Sequence, residues 1–394
     1  MRFVRLLPLS LAALMLAGCG LPLPGLNQDS SGQLSARSAE NPRVRLFYRN
    51  KAQLDRLVGL GMDIHTVQPG YVEGFLDGQT RLYAAGQGLR MVTLPGSLTE
   101  SLPAGYQSYE DMAKNLKGLA ETYPKLASLA DVGDSWEKQQ GKASRDVWAL
   151  KITARPEVEQ PAALFTGGHH ARELAPVEVS YRLAKMLLEG YGKDPRITRL
   201  LDSREVWIVP MVNPDGRSRV EGGEMFWRKN VHPFDGAVGV DLNRNYDAYW
   251  EQGDASPRKE TFRGEAAFSE PETQAIRNLF AKRKFGTWMD YHAYGNAVIW
   301  PPGYTRDLSA DDAVFRDLGK RIAAPGYSAD TIARTFYLSY GSGLDWAYTK
   351  FGTLGFCSEM GTSFHPSFRE VDKLFDEHKE GALLLIEAAN RRLK

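Results

Sequence analysis

His170 and Glu173 stand three residues apart, just after the apolar run AALFTG and just before a proline-containing helix start. At such a strand-to-helix turn one imidazole nitrogen and one carboxylate can meet a single cation at about 2 Å. The neighbouring His169 does not share the pattern, because Arg172 lies three residues beyond it. Far along the chain, His292 ends a second apolar run in MDYHAY, and Glu359 ends a third in GFCSEM. Two histidines, one carboxylate and an open position for water make up a catalytic zinc site rather than a structural one. A further carboxylate could act as base toward that water. Taken singly, each feature has a plainer reading. With seven histidines in the chain, a His-x-x-Glu pair can arise by chance. His292 could be a satisfied core histidine, and Glu359 a buried, paired carboxylate.

Groups so far apart in sequence meet only if strands end side by side. From Tyr106 onward DVWALKITA, AALFTGG, REVWIVPMV, GTWMDYHAY and TLGFCSE read as strands. Between and around them, SYEDMAKNLKGLAETY, PVEVSYRLAKMLLEGY, DDAVFRDLGKRIAA and REVDKLFDEHKEGALLLIEAANRRL read as amphipathic helices. The alternation predicts an α/β domain over 106–394, a mixed central sheet flanked by helices, with sites in the loops at strand ends. Ahead of it, residues 43–95 read as β-α-β-β-α-β through VRLFYR, AQLDRLVGLG, DIHTV, YVEGFLD, QTRLYAAGQG and LRMVTL. That is the order of a small ferredoxin-like α+β module. Pro95 to Gly105, with two prolines and two glycines, reads as the linker.

At the start of the chain, Arg2 and Arg5 precede an apolar run from Leu6 to Leu16 that is too short to span a bilayer. Leu16-Ala17-Gly18-Cys19 follows. Residues 1–18 are therefore expected to be a signal peptide outside the fold. The tetrad resembles the lipobox of bacterial lipoproteins, which implies a lipid on Cys19 and an anchor in the cell envelope, at the outer membrane or an extracellular face. A plain signal peptide with a chance cysteine is the alternative. Residues 19–42, rich in small and polar residues, read as a flexible tether. Only Cys357 remains as a second cysteine, so a lipidated Cys19 leaves no intramolecular disulfide. Lysine and arginine number 49 against 48 acidic residues, so no global field favours nucleic acid.

GGHHARE, PMVNPDG, WRKN, GVDLNRN, AFSEPE, YHAYG, YGSGLDWAY and FCSEMG occur in this order. In order and separation they resemble the zinc carboxypeptidase family of carboxypeptidase A type. The resemblance runs from Tyr106 to the C-terminus and includes the opening pattern SYEDMAKNLKGLAETYPKLASLADVGDSW. It implies one zinc ion held by His170, Glu173 and His292, with Glu359 as general base toward a zinc-activated water. It makes Arg228 the group that polarises the scissile carbonyl, Asn243 and Arg244 the receptor for a substrate's terminal carboxylate, and Arg172 a further cationic contact. Tyr337 would close over the substrate, and Asp241 would orient His170. Leu344, just before Asp345-Trp346, would sit at the base of the side-chain pocket and select hydrophobic or aromatic C-terminal residues over basic ones. Ala293 departs from the serine that many members carry after the third ligand. The module at 43–95 resembles the family's pro-segment, which covers the cleft and can be removed by cutting in the linker. Two other outcomes stay open: a carboxypeptidase or amidase acting on cell-wall peptides, and a non-catalytic member that only binds peptides.

Overall fold

The computed structural model describes residues 42–60, 62–94 and 102–390. The expected signal peptide, Cys19, the tether up to residue 41 and the linker from Pro95 to residue 101 lie outside the described residues. The first unit comprises β1 (Arg43–Phe47), a helix (Lys51–Gly59), β2 (Asp63–Gln68), β3 (Tyr71–Phe75), a helix (Gly78–Gly86) and β4 (Met91–Thr93). Its sheet has the order β2-β3-β1-β4 with every neighbouring pair antiparallel. Val44 and Leu46, two apart and so on one face of β1, are fully buried against Leu57, Val72, Leu76 and Ala84. Asn50 and Asp77 open the two helices by accepting from the Gln53 and Thr80 N–H groups, which would otherwise have no partner in the first turn.

The second unit carries β5 (Ala127–Asp134), β6 (Asp146–Ile152), β7 (Ala162–Gly167), β8 (Glu205–Val209), the two-residue strands β9 (Pro233–Phe234) and β10 (Ala237–Val238), β11 (Phe285–His292), β12 (Ala297–Trp300), β13 (Ser328–Thr331) and β14 (Leu354–Glu359). Eight of them form one sheet in the order β13-β12-β14-β11-β7-β8-β6-β5. The central four, β8, β7, β11 and β14, run parallel, while β6 and β12 join them antiparallel from either side. This is the mixed sheet expected from the alternation of strands and helices. Every residue of β7 is buried, because both its faces are covered, which is why it reads as a continuous apolar run. Ala163 and Phe165 pack with Leu183 and Leu187 of the helix Leu174–Gly190 and with Leu385 and Ile386 of the helix Phe368–Ala388. Ala162 and Leu164 face the opposite layer, with Ile276 and Phe280 of the helix Pro271–Lys282 and Trp346 of the helix Gly343–Phe351.

β7 has β8 on one side and β11 on the other. The order of strands reverses there, so the loops leaving the carboxyl ends of β7 and β11 diverge and open a crevice.

Candidate metal centre and cleft

That crevice is where His170, Glu173, His292 and Glu359 meet. After β7 the chain turns through Gly168 at φ +65°, a backbone conformation that disfavours a side chain and leaves an added Cβ only 3.3 Å from the Met211 Cα. The turn delivers His169 and His170, and Glu173 takes the N-cap position of the helix Leu174–Gly190 without making a cap hydrogen bond. A cap residue normally spends its side chain on the helix. Here the carboxylate turns away to lie between two imidazoles instead. His170 Nδ1 is 2.7 Å from Glu173 Oε1, and His292 Nδ1 is 2.9 Å from Glu173 Oε2. The two imidazole nitrogens approach each other to 3.1 Å.

Three donors on one small volume fit a cation better than they fit one another. Ligand atoms around a tetrahedral zinc at about 2.0–2.1 Å stand roughly 3.3 Å apart, close to the spacings found. All three residues are at least nine-tenths buried, and their donor atoms form one of the groups able to hold a metal ion. The far nitrogens are already engaged: His170 Nε2 is 3.2 Å from Asp241 Oδ1, and His292 Nε2 is 2.8 Å from Asp290 Oδ2. Carboxylates behind both rings direct both Nδ1 atoms inward.

The electrostatics differ between the two rings. Burial and then the nearby Arg228 guanidinium lower the pKa of His170. Burial would lower His292 as well, but the carboxylates of Asp290 and Glu173 outweigh it and raise that ring well above the ordinary histidine range. For Glu173 itself, burial works upward, and His170 and His292 together hold the carboxyl below its usual range.

Glu359 ends β14 directly beside His292, since the parallel register pairs the two residues. Desolvation raises its pKa to about 7, against the opposing pull of His292 and Arg228. Arg228 donates from Nε and Nη2 to Asp241 Oδ2 at 3.1 and 2.8 Å, so Asp241 joins Arg228 to His170. Asp241 also caps the short turn Leu242–Arg244 by accepting from the Asn243 N–H at 3.0 Å. Asn243 reaches to 3.2 Å from His292 Nε2, and Arg244 Nη2 lies 3.3 Å from the Tyr337 hydroxyl. Gly341 presses on this loop: it accepts from the Tyr246 N–H, donates to the Ala248 carbonyl, and has no room for a Cβ against the Arg244 carbonyl. Leu344 is buried in an apolar cluster with Ile299, Ile332 and Cys357. The adjoining Asp345 is pushed up to about 6 by burial and accepts from Ser342 and the Gly303 N–H.

Arg172 stands apart from this group. Its Nη1 is 3.1 Å from Asp63 of β2, and its guanidinium lies over the Phe364 ring at 4.5 Å. Other contacts bring the first unit to the same side: Lys51 Nζ donates to the Phe336 carbonyl at 2.7 Å and Lys259 Nζ to the Leu60 carbonyl at 2.6 Å. Asp290 and His169 escaped the sequence reading. The spacing of Asp290 and His292, two apart on one strand and hence on one face, was a usable signal for the first of them.

Comparison with known proteins follows the same line. The family described as "Zinc carboxypeptidase" matches residues 112–381. A "Zinc carboxypeptidase" of Saccharothrix mutabilis subsp. capreolus is 33% identical over 271 residues, covering 64% of this chain and 61% of that protein. "Carboxypeptidase A4" of Mus musculus is 29% identical over 255 residues, covering 62% and 59% respectively. The chain thus spans about three fifths of the length of these curated relatives. Among solved structures, the carboxypeptidase A of Helicoverpa armigera superposes with a TM-score of 0.76 at 19% identity, over 89% of this chain and 97% of that one. Thrombin activatable fibrinolysis inhibitor gives 0.74 at 19% identity, over 89% and 99%. Both share the fold.

Proposed function

From the premise that the chain belongs to the zinc carboxypeptidase family, we propose that it is a metallocarboxypeptidase removing hydrophobic or aromatic residues from the C-termini of peptides. The observation that carries this reading is the convergence of His170, Glu173 and His292 on one volume, with Asn243 only 3.2 Å from the third of them. Zinc held there would supply a Lewis acid for a carbonyl oxygen and lower the pKa of water.

Each side chain around it then has a role that its chemistry suits. Glu359, with a pKa near neutrality, can both take a proton from water and give it to a leaving amine. Arg228 is held by Asp241 through one edge of its guanidinium and serves negative charge developing on the carbonyl oxygen. Arg244 presents a planar fork that matches a free carboxylate, with the Asn243 amide beside it. The Tyr337 hydroxyl, at 3.3 Å from Arg244, lies next to the place such a carboxylate would take. Leu344 favours an apolar side chain, since a lysine head group buried against it would lack a partner. Measuring kcat/KM on peptides ending in Phe, Leu, Lys and Arg, alongside cell-wall muropeptides, tests the assignment. Preference for Phe and Leu is expected, and activity confined to muropeptides would overturn it.

The first unit supports an inhibitory reading. Asp63 holds Arg172, and Lys51 touches the carbonyl of Phe336, next to Tyr337. Residues 43–95 would act as a pro-segment over the cleft, removed by a cut between residues 95 and 105. A chain beginning near Gly105 should turn over peptides faster than the full mature chain, and equal rates would exclude shielding. The pattern before Cys19 supports a lipid anchor in the cell envelope. Metabolic labelling with a fatty acid should mark the parent and not Cys19→Ser.

A further inference from the structure

The doublet His169-His170 contributes one imidazole to the donor set and leaves the other without a part in the proposed reaction. His169 is fully buried, with Nδ1 2.9 Å from Asp290 Oδ1 and Nε2 2.8 Å from the Tyr246 hydroxyl. Asp290 is equally buried, and its other oxygen lies 2.8 Å from His292 Nε2. A third group reaches it from β7, where Thr166 Oγ1 is 2.7 Å from Asp290 Oδ1 and also 2.7 Å from Trp288 Nε1. The partners of Asp290 are thus one hydroxyl and two imidazoles: Thr166 and His169 reach it across the seam between β7 and β11, and His292 from two residues along its own strand.

The direction of each hydrogen bond follows from the groups themselves. An indole N–H can only donate, so Thr166 accepts from Trp288 and turns its own proton toward Asp290. An ionised carboxylate can only accept, so His169 donates from Nδ1 and His292 from Nε2. In the neutral ring that a metal requires, Nε2 of His292 stays the donor and the lone pair is confined to Nδ1, the atom that faces His170 Nδ1 at 3.1 Å and Glu173 at 2.9 Å. Asn243 pulls the other way. Its amide oxygen accepts from the Gly343 N–H at 3.0 Å, which leaves its NH2 group 3.2 Å from the same Nε2. An amide N–H there favours the opposite tautomer, bare at Nε2 and protonated at Nδ1, which would set a proton between the three metal donors. Asp290 is charged and nearer, at 2.8 Å, and decides the competition.

We propose that Asp290, clamped by His169 and Thr166, is the positioning residue that selects the metal-binding tautomer of His292, and that Tyr246 completes the clamp by bonding His169. The inference rests on the reading of His170, Glu173 and His292 as zinc ligands. Asp241 faces His170 in a corresponding way, but it also answers to Arg228; the partners of Asp290 are two imidazoles and the Thr166 hydroxyl.

Asp290→Asn keeps the shape but replaces an obligate acceptor with a group that can offer either an oxygen or an N–H. Zinc affinity of the full chain, measured by chelator competition, should fall 10- to 100-fold in this variant, the usual range for losing such a partner. The visible absorption of the cobalt(II)-substituted protein should shift, and the melting temperature of metal-free Asp290→Asn should match that of the metal-free parent. Unchanged zinc affinity with an unchanged cobalt spectrum would overturn the proposal. His169→Ala should weaken zinc by a smaller factor, and His169→Asn, whose amide nitrogen can stand in for Nδ1, should recover most of it. If Asp290→Asn does not fold, that pair decides the matter: equal zinc affinity in His169→Ala and the parent removes the clamp. A parent protein that binds no zinc would instead overturn the ligand assignment, and this inference with it.

Discussion

Two buried clusters of ionisable groups occupy the same body, and they are built from similar parts. One is the set of His170, Glu173 and His292. The other gathers Asp215, Glu270 and Glu272, each at most 1% exposed, with Asn230 between the two glutamates and His232 against Glu270. In the second cluster the carboxylate oxygens are answered by protein donors. Glu272 accepts from the Trp136 N–H at 2.9 Å and from Asn230 at 3.3 Å. Glu270 accepts from Asn230 and Ser269, both at 2.7 Å, with His232 Nδ1 at 3.1 Å. Asp215 accepts from the Glu137 N–H and from Arg145, both at 2.7 Å. In the first cluster the outer faces are answered in the same manner, by Asp241 and Asp290, while the inner lone pairs point at one another. What separates a ligand site from a fastener is therefore where the unanswered lone pairs aim, not how many acids and histidines are gathered. The second cluster serves the architecture, since Asn230, which it holds, lies two residues beyond Arg228.

Breaking the first cluster should have the largest effect. Glu173→Ala removes the carboxylate between the two rings, and the protein should lose its bound zinc, read by metal analysis, together with all measurable peptidase activity. Glu359→Gln should keep the metal and lose about 10²- to 10⁴-fold in turnover. The parent's kcat/KM should rise with pH as Glu359 loses its proton, since only the deprotonated form acts as base, on a limb lying at or below the pH of about 7 to which desolvation lifts this group. That limb should vanish in Glu359→Gln. Arg228→Ala should cost about 10²- to 10³-fold, mainly in kcat.

Glu272→Gln tests the second cluster and should barely alter turnover. Burial, Glu270 and Asp215 raise Glu272 to about 8, above the ordinary carboxyl value it would have in the unfolded chain. Between those two values the folded protein binds more protons than the unfolded one, so stability falls as pH rises through this window. Denaturant titrations should show Glu272→Gln lacking that decline and exceeding the parent by a few kcal/mol above pH 8. Parallel pH profiles for the two proteins would place the charge of Glu272 outside the stability balance.

The sequence pointed to His170, Glu173, His292 and Glu359, which the fold brings together, because the first two share one motif just past β7 and the others end β11 and β14, and the order of these motifs compounded the signal. The long strands β6, β7, β8, β11 and β14 announced themselves as apolar runs, and the helices Tyr109–Thr122 and Phe368–Ala388 through their amphipathic spacing. Short pieces did not: β12 is four residues, AVIW, and the edge strand β13 is SADT, too brief for a period to emerge. The clamp on Asp290 was hidden for a different reason. Thr166 and His169 reach it only because β7 and β11, more than a hundred residues apart, are sheet neighbours in a particular register, and single-chain periodicity carries no information about register between strands. The grip of Asp63 on Arg172 likewise depends on how two units pack, which no motif in either one encodes.

Gly341 couples two stretches of chain that a kinetic experiment would treat as separate. With φ at +71° and no space for a Cβ against the Arg244 carbonyl, the residue acts as a spacer of zero thickness between the loop bearing Tyr337 and the turn bearing Arg244. Any side chain there must push the arginine's backbone aside. On the proposed role of Arg244 as receptor for a terminal carboxylate, a change at position 341 would present itself as poor recognition of the substrate's chain end, a lesion displaced by almost a hundred positions from the residue it disables.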